Sequence, residues 1–165
     1  MPKAKTAENA SGLQVGDTAP QFNLPTDNGT NANLADFKGK MNVVIYFYPK
    51  DDTPGCTIEA KEFRDAAEKF AKADTVVFGV SKDSVQSHCK FRDKFDLNFA
   101  LISDTETMCE DYGVWVEKNM YGRKYMGIQR DTFLIDKNGK IAQIWHKVKP
   151  EGHPSEVLEA AKKLK

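Results

Sequence analysis

The sequence predicts an α/β protein, on three observations. Residues 43–47 (VVIYF) form an unbroken apolar run of strand length, which suits a central strand covered on both faces. Downstream, segments of helical period alternate with further short apolar strands. A late hairpin pattern and a closing amphipathic segment complete the order strand, helix, strand, helix, hairpin, helix.

Taken in order, residues 22–25 and 31–34 flank Asp27-Asn28-Gly29 and predict a hairpin about an Asn-Gly turn, since both residues tolerate positive φ. The central strand covers 41–48, and the loop 49–55 (PKDDTPG) follows it. A helix is expected from Cys56 to about Ala71, because Phe63, Ala66, Ala67 and Phe70 recur at helical spacing with charges between them. Thr53 is its expected N-cap, and Pro54 suits a first turn, where a missing N–H costs nothing. Residues 76–80 are the next strand. Asp83 or Ser84 opens a helix to about Phe95, then come a short strand over 99–102 and a short helix over 106–112. Residues 132–135 and 141–145 form a hairpin across Lys137-Asn138-Gly139-Lys140, and 154–164 form a last helix. The simplest fold for this order is thioredoxin-like: a central mixed sheet with helices on both faces, here with an N-terminal hairpin extension. Residues 1–12 are small and polar and are expected to be flexible, and 13–165 are read as one domain.

A chain of 165 residues has the length of one domain and can bury a substantial core. Its 24 basic and 24 acidic residues cancel, so no nucleic-acid partner is indicated. No apolar run approaches the ~18 residues of a membrane span. The N-terminal lysines are not followed by the apolar stretch of a secretory signal. Three cysteines, Cys56, Cys89 and Cys109, cannot all pair within one chain. Free thiols in a reducing, cytoplasmic setting are therefore expected.

The stretch that carries chemistry is YFYPKDDTPGCT, residues 46–57. It sets Cys56 where a buried strand gives way to a helix start. A helix N-terminus presents unpaired N–H groups and a positive dipole end, which favour an anion. A thiolate there is a nucleophile. Thr53 can offer its hydroxyl to a bound oxygen or to the sulfur, and Pro49 can shield the sulfur from bulk water. No C-x-x-C pair is present, and His88, His146 and His153 show no zinc-ligand spacing with the cysteines. No metal is therefore expected. Without a GxGxxG or P-loop, no nucleotide cofactor is indicated, so the cofactor expectation is none.

The spacing Pro49-x-x-x-Thr53-x-x-Cys56 resembles the active-site signature of peroxiredoxins. The longer string YFYPKDDTPGCTIEA is similar to the peroxiredoxin Q branch, also called bacterioferritin comigratory protein, within the AhpC/TSA-like family. GDTAPQFNLP, DFKGK, GVSKDSVQSH, LISDTE, YGVW, MYGRKYMGIQRDTFLIDKNGKI and GHPSEVLEA resemble the same branch in order and spacing. The resemblance spans residues 11–165. It implies a thiol-dependent peroxidase that reduces hydrogen peroxide and organic hydroperoxides, in which the Cys56 thiolate becomes a sulfenic acid. It implies reduction by thioredoxin or a glutathione-linked donor, and a monomer or weak homodimer. The family's active-site arginine falls on Arg130, whose permanent charge would favour the thiolate and hold charge developing on the peroxide. Glu59, one turn after Cys56, would orient Arg130 or simply complement the helix dipole.

The sequence also departs from that pattern. Members of the branch that resolve Cys56 from the same helix carry a cysteine five residues on, where this chain has Lys61. Others carry it thirty-six residues on, where this chain has Arg92. Cys89 lies one helical turn before Arg92, at the edge of the apolar face made by Val85, His88, Phe91 and Phe95. Cys89 is thus either the resolving thiol, after local unwinding, or a bystander in a one-cysteine peroxidase served by an external thiol. A redox sensor or relay using the same Cys56 oxidation is a further reading, and a non-catalytic interaction domain a third. Cys109 is read as packing.

Overall fold

The computed structural model describes residues 12–164, so all of the expected flexible segment except Gly12 lies outside the described residues. The N-terminal part runs β1 (Asn23–Pro25), β2 (Asn31–Asn33), a 3-10 turn (Leu34–Phe37), β3 (Asn42–Phe47) and α1 (Pro54–Lys72). The middle adds β4 (Thr75–Ser81), α2 (Val85–Phe95), β5 (Ala100–Ser103), the short α3 (Met108–Asp111), β6 (Trp115–Met120) and β7 (Arg123–Ile128). The chain closes with β8 (Thr132–Ile135), β9 (Ile141–Trp145) and α4 (His153–Lys162).

Five strands form one mixed sheet in the order β5-β4-β3-β8-β9. β3 pairs in parallel with β4, and β4 with β5, whereas β3–β8 and β8–β9 are antiparallel. β3 is central, and all six of its residues are buried. Its side chains alternate between two cores, as period-2 geometry requires. Val43, Ile45 and Phe47 pack on one face with Leu24 and Ala32 of the N-terminal hairpin and with Met108 and Cys109 of α3. Val44, Tyr46 and Tyr48 pack on the other face with Phe63 of α1, Phe91 of α2 and Val157 of α4. Each such buried side chain contributes about 1.5–3 kcal/mol relative to exposure. The sheet therefore carries helices on both faces, in the thioredoxin-like arrangement with a hairpin extension that the sequence predicts.

Tyr46 lies flat against the sheet, stacked on Phe63 with ring centroids 4.5 Å apart. Its register partner on β4 is Gly79, and a Cβ there would stand 2.9 Å from the Tyr46 hydroxyl. Only glycine admits that approach.

Two local expectations need correction. The N-terminal hairpin exists, but only Gly29 takes a positive φ, and its loop is wider than an Asn-Gly turn. Asn28 serves instead as an acceptor for the Thr30 amide (3.1 Å) and hydroxyl (2.7 Å). The β6–β7 hairpin lies in a stretch for which the sequence predicts no element. Its outer residues, including Glu117, Asn119 and Arg123 to Met126, are exposed, so it has no apolar alternation to read. Its turn places Tyr121 (φ 53) and Gly122 (φ 79) at positive φ, a geometry usually signalled by Asn-Gly or Asp-Gly. Among the described residues no helix is long and apolar enough to cross a membrane.

Candidate active site

The site forms where β3 ends and α1 begins. Pro54 starts the helix, its fixed φ suited to the first turn. Thr53 holds the N-cap position with extended backbone (φ −102, ψ 158), and its carbonyl accepts the Thr57 amide at 2.8 Å. Its side chain makes no capping bond. The hydroxyl instead donates back to the Lys50 carbonyl at 3.0 Å, leaving its lone pairs as what Thr53 offers to another group.

Cys56 is the third residue of α1, 1% exposed, with its side chain in the core beneath Tyr46 and Tyr48. Arg130, in the turn before β8, reaches over it. Its Nη2 donates to the Cys56 sulfur at 3.3 Å, and its Nη1 donates to Glu59 Oε1 at 2.8 Å. One planar guanidinium thus bridges a sulfur and a carboxylate set one helical turn apart. Burial works against the Arg130 charge, but Cys56 and Glu59 outweigh it and hold the guanidinium above its ordinary value. Glu59 is fully buried, and its Oε2 has no hydrogen-bond partner among the described residues. Burial pushes its carboxyl up to about 7, against the pull of Arg130. Lys118 on β6 adds a second cation, and burial and Arg130 together hold its ammonium below the usual lysine range.

The walls are fixed by contacts that leave no short-range signal. Gly55 makes room for Arg130, since a Cβ there would lie 3.3 Å from Nη2 and 3.4 Å from Pro150 Cγ. The Arg130 carbonyl accepts the Val148 amide at 2.8 Å. Next to it, the buried Asp131 accepts from Gln129 (3.0 Å) and the Lys147 amide (3.0 Å), and meets His146 Nδ1 at 2.8 Å. These partners lie fifteen or more residues downstream, apart from Gln129, so spacing could not reveal them.

Of the residues singled out from sequence, Cys56, Arg130 and Glu59 come into direct contact, and Thr53 stands at the same helix end. Pro49 is exposed at the end of β3, in the same loop. Cys89 lies elsewhere. It is half-buried on α2, and its Sγ donates to the Asp27 carbonyl at 3.3 Å. Asp27 is in turn bonded to Leu101 of the edge strand β5. Cys109 is fully buried beside Asp104, and burial and that carboxylate push its thiol far up. Asp51, Asp83 and His88 bring ligand-type atoms within 4.8 Å of one another, but both His88 nitrogens are engaged, Nδ1 with Asp51 and Nε2 with the Ile102 carbonyl.

A sequence model of the AhpC/TSA family matches residues 15–144. The chain belongs to the AhpC/TSA family. Within it, the chain is 55% identical to a Coxiella burnetii protein named putative peroxiredoxin bcp, over 88% of this chain and 97% of the relative. It is 47% identical to peroxiredoxin Bcp of Bacillus subtilis, over 92% and 97%. A solved structure of the Xanthomonas campestris bacterioferritin comigratory protein, described for its alkyl peroxide reduction activity, superposes with a TM-score of 0.83 at 42% identity, covering 91% of this chain and 96% of that one. These relatives place the chain on the peroxiredoxin Q/Bcp branch.

Proposed function

We propose that this chain is a thiol-dependent peroxidase that reduces hydrogen peroxide and organic hydroperoxides through Cys56. The observation that carries the reading is the Arg130 guanidinium set 3.3 Å from the Cys56 sulfur and held from behind by Glu59 at 2.8 Å. This sets a fixed cation beside the sulfur at a helix N-terminus, where the charge of an attacking thiolate would sit. The thiolate attacks the terminal oxygen of ROOH, so an S–O bond forms as the O–O bond breaks. Cys56 is oxidised to the sulfenic acid, and the leaving alkoxide takes a proton to give ROH. Arg130, already aimed at the reacting sulfur, stabilises charge spreading over the peroxide oxygens. With its own proton on Lys50, Thr53 accepts the peroxide O–H. Pro49 limits the approach of water.

A thiol donor then attacks the sulfenic acid, releasing water and forming a mixed disulfide, which a second thiol reduces. We assign this to thioredoxin or a glutathione-linked donor acting on a monomer or weak homodimer. With α2 folded, the Cys89 thiol is engaged by the Asp27 carbonyl, which favours an external thiol as the first attacker. The second reading, in which Cys89 resolves Cys56, is favoured by the half-exposed position of Cys89 near the surface of α2, and it requires α2 or α1 to unwind locally.

Intact mass and peptide mapping after one equivalent of hydrogen peroxide test both points. One added oxygen on Cys56, with Cys89 free, is the expected result. Loss of two hydrogens with a Cys56–Cys89 linked peptide would instead establish the internal cycle. Oxidation of Cys56 no faster than Cys109 would overturn the peroxidase reading.

A further inference from the structure

Beside the site lies a buried polar cluster that the reaction above does not use. The loop between β3 and α1 carries Asp51, which is 7% exposed. Its Oδ2 meets His88 Nδ1 at 2.7 Å and accepts the Ser87 hydroxyl at 2.7 Å, and its Oδ1 accepts the Tyr48 hydroxyl. Its backbone amide donates to Asp83 at 2.7 Å. His88 is fully buried, and its Nε2 lies 3.0 Å from the Ile102 carbonyl of β5. A carbonyl only accepts, so Nε2 donates to it, and Nδ1 is left to Asp51. Every side-chain polar atom of the pair is thereby engaged, which is the condition under which such a cluster rigidifies its surroundings.

We infer that Asp51 and His88 are positioning residues of the peroxide site, bracing the Pro49–Thr53 loop against α2 and β5. The proposal rests on the peroxidase reading and deepens it. Asp51 sits two residues before Thr53 and two after Pro49, and its next residue, Asp52, holds a positive φ of 58. A left-handed aspartate between two anchored positions has little freedom, so the brace fixes where the Thr53 oxygen stands relative to Cys56. Arg130 and Glu59 do not touch the cluster through any of these bonds. The two walls are held separately, the loop that carries Thr53 by α2 through Asp51 and Asp52, and Arg130 by the segment after β9. The brace also ties the loop to the helix that carries Cys89. His88 and Cys89 are adjacent in sequence, one anchored on Asp51 and the other on Asp27. Unwinding α2 to free Cys89 would withdraw His88, so the peroxide loop is braced only while Cys89 is parked.

The test separates positioning from folding by comparing two reagents on the same sulfur. Hydrogen peroxide needs the Thr53 wall, whereas iodoacetamide needs only an accessible thiolate. In His88→Leu, the second-order rate of Cys56 oxidation by hydrogen peroxide is expected to fall by about 10-fold or more, while alkylation by iodoacetamide stays within about 3-fold. His88→Asn keeps a donor toward Asp51 and is expected to recover part of the loss. Rates with peroxide unchanged in folded His88→Leu, or rates that fall together for both reagents, would overturn the proposal. Should the leucine variant not fold, Ser87→Ala, which removes one donor to Asp51 from a partly exposed position, decides the matter by the same ratio. Failure of the underlying reading is distinct, because it would show in the wild-type chain as a Cys56 no more reactive with peroxide than Cys109.

Discussion

Cys56 and Cys109 are both buried, each in the first turn of a helix, and they face opposite charges. Cys56 is 1% exposed and takes a hydrogen bond from Arg130, whereas Cys109 is fully buried and its amide donates to the Asp104 carboxylate at 2.8 Å. Burial alone would raise Asp104, but the Cys109 and Glu106 amides and the Lys82 ammonium outweigh it and hold it below the usual carboxylate range. Asp104 is thus a charged neighbour that opposes a thiolate, and α3 is only four residues long, too short for much of a dipole. Helix position and burial are common to both sulfurs. On the proposed function, the sign of the nearest fixed charge is what separates a nucleophile from a small hydrophobe.

Exchanging the two sulfurs tests this most severely. Cys56→Ser is expected to reduce peroxide consumption to that of buffer, because a hydroxyl at that place stays protonated, while Cys109→Ala should leave the rate within about 3-fold. A peroxide assay on both variants decides it, and a Cys109 variant as inactive as the Cys56 one would break the contrast. Removing the cation comes next. Arg130→Met should slow Cys56 oxidation by about 10²–10³-fold, the usual cost of losing one preorganised charge donor. At pH 8 it should also lower stability, because Glu59 loses the partner that opposes the effect of burial and must take up a proton to stay buried. Stopped-flow oxidation and urea unfolding measure the two effects.

The carboxylate behind the cation predicts a pH signature. The folded chain raises the Glu59 carboxyl from 4.5 to about 7, so between those values the folded state holds a proton that the unfolded state has lost. Its contribution to stability is full below pH 4.5 and declines as pH rises through 7, by on the order of 3 kcal/mol in all. The stability of the wild type relative to Glu59→Gln should therefore fall from pH 5 to pH 8 in urea titrations. A level difference would show that Glu59 does not titrate there. The smallest effect is steric. Gly55→Ala sets a methyl group 3.3 Å from Arg130 Nη2, and a shift of a few tenths of an ångström should slow oxidation by about 2–10-fold, well short of Arg130→Met.

Much of this was legible along the chain. The apolar run at β3 announced a strand buried on both faces, and the loop-to-helix transition placed Cys56 at a helix start with Thr53 at its N-cap position. Signals of this kind are local, because periodicity, turn chemistry and capping all act within a few residues. The β6–β7 hairpin was not legible, since its strands are largely solvent-exposed and its turn is Tyr-Gly. Cys89 was placed correctly at the edge of the apolar face of α2, but projection on one helix could not show that it faces Asp27.

By itself the sequence determined the order of elements, the central strand and the residue types that gather at the site, because those follow from local propensity and burial pattern. The contact of Arg130 with Cys56 spans 74 residues and that of Asp51 with His88 spans 37. Only the tertiary structure decided these. Strand β8 had to pair antiparallel with β3 to bring the guanidinium over the sulfur, and α2 had to pack on the sheet to carry an imidazole under the loop. Coulombic and hydrogen-bond terms act across space over a few ångströms, and the fold sets those distances without regard to separation along the chain.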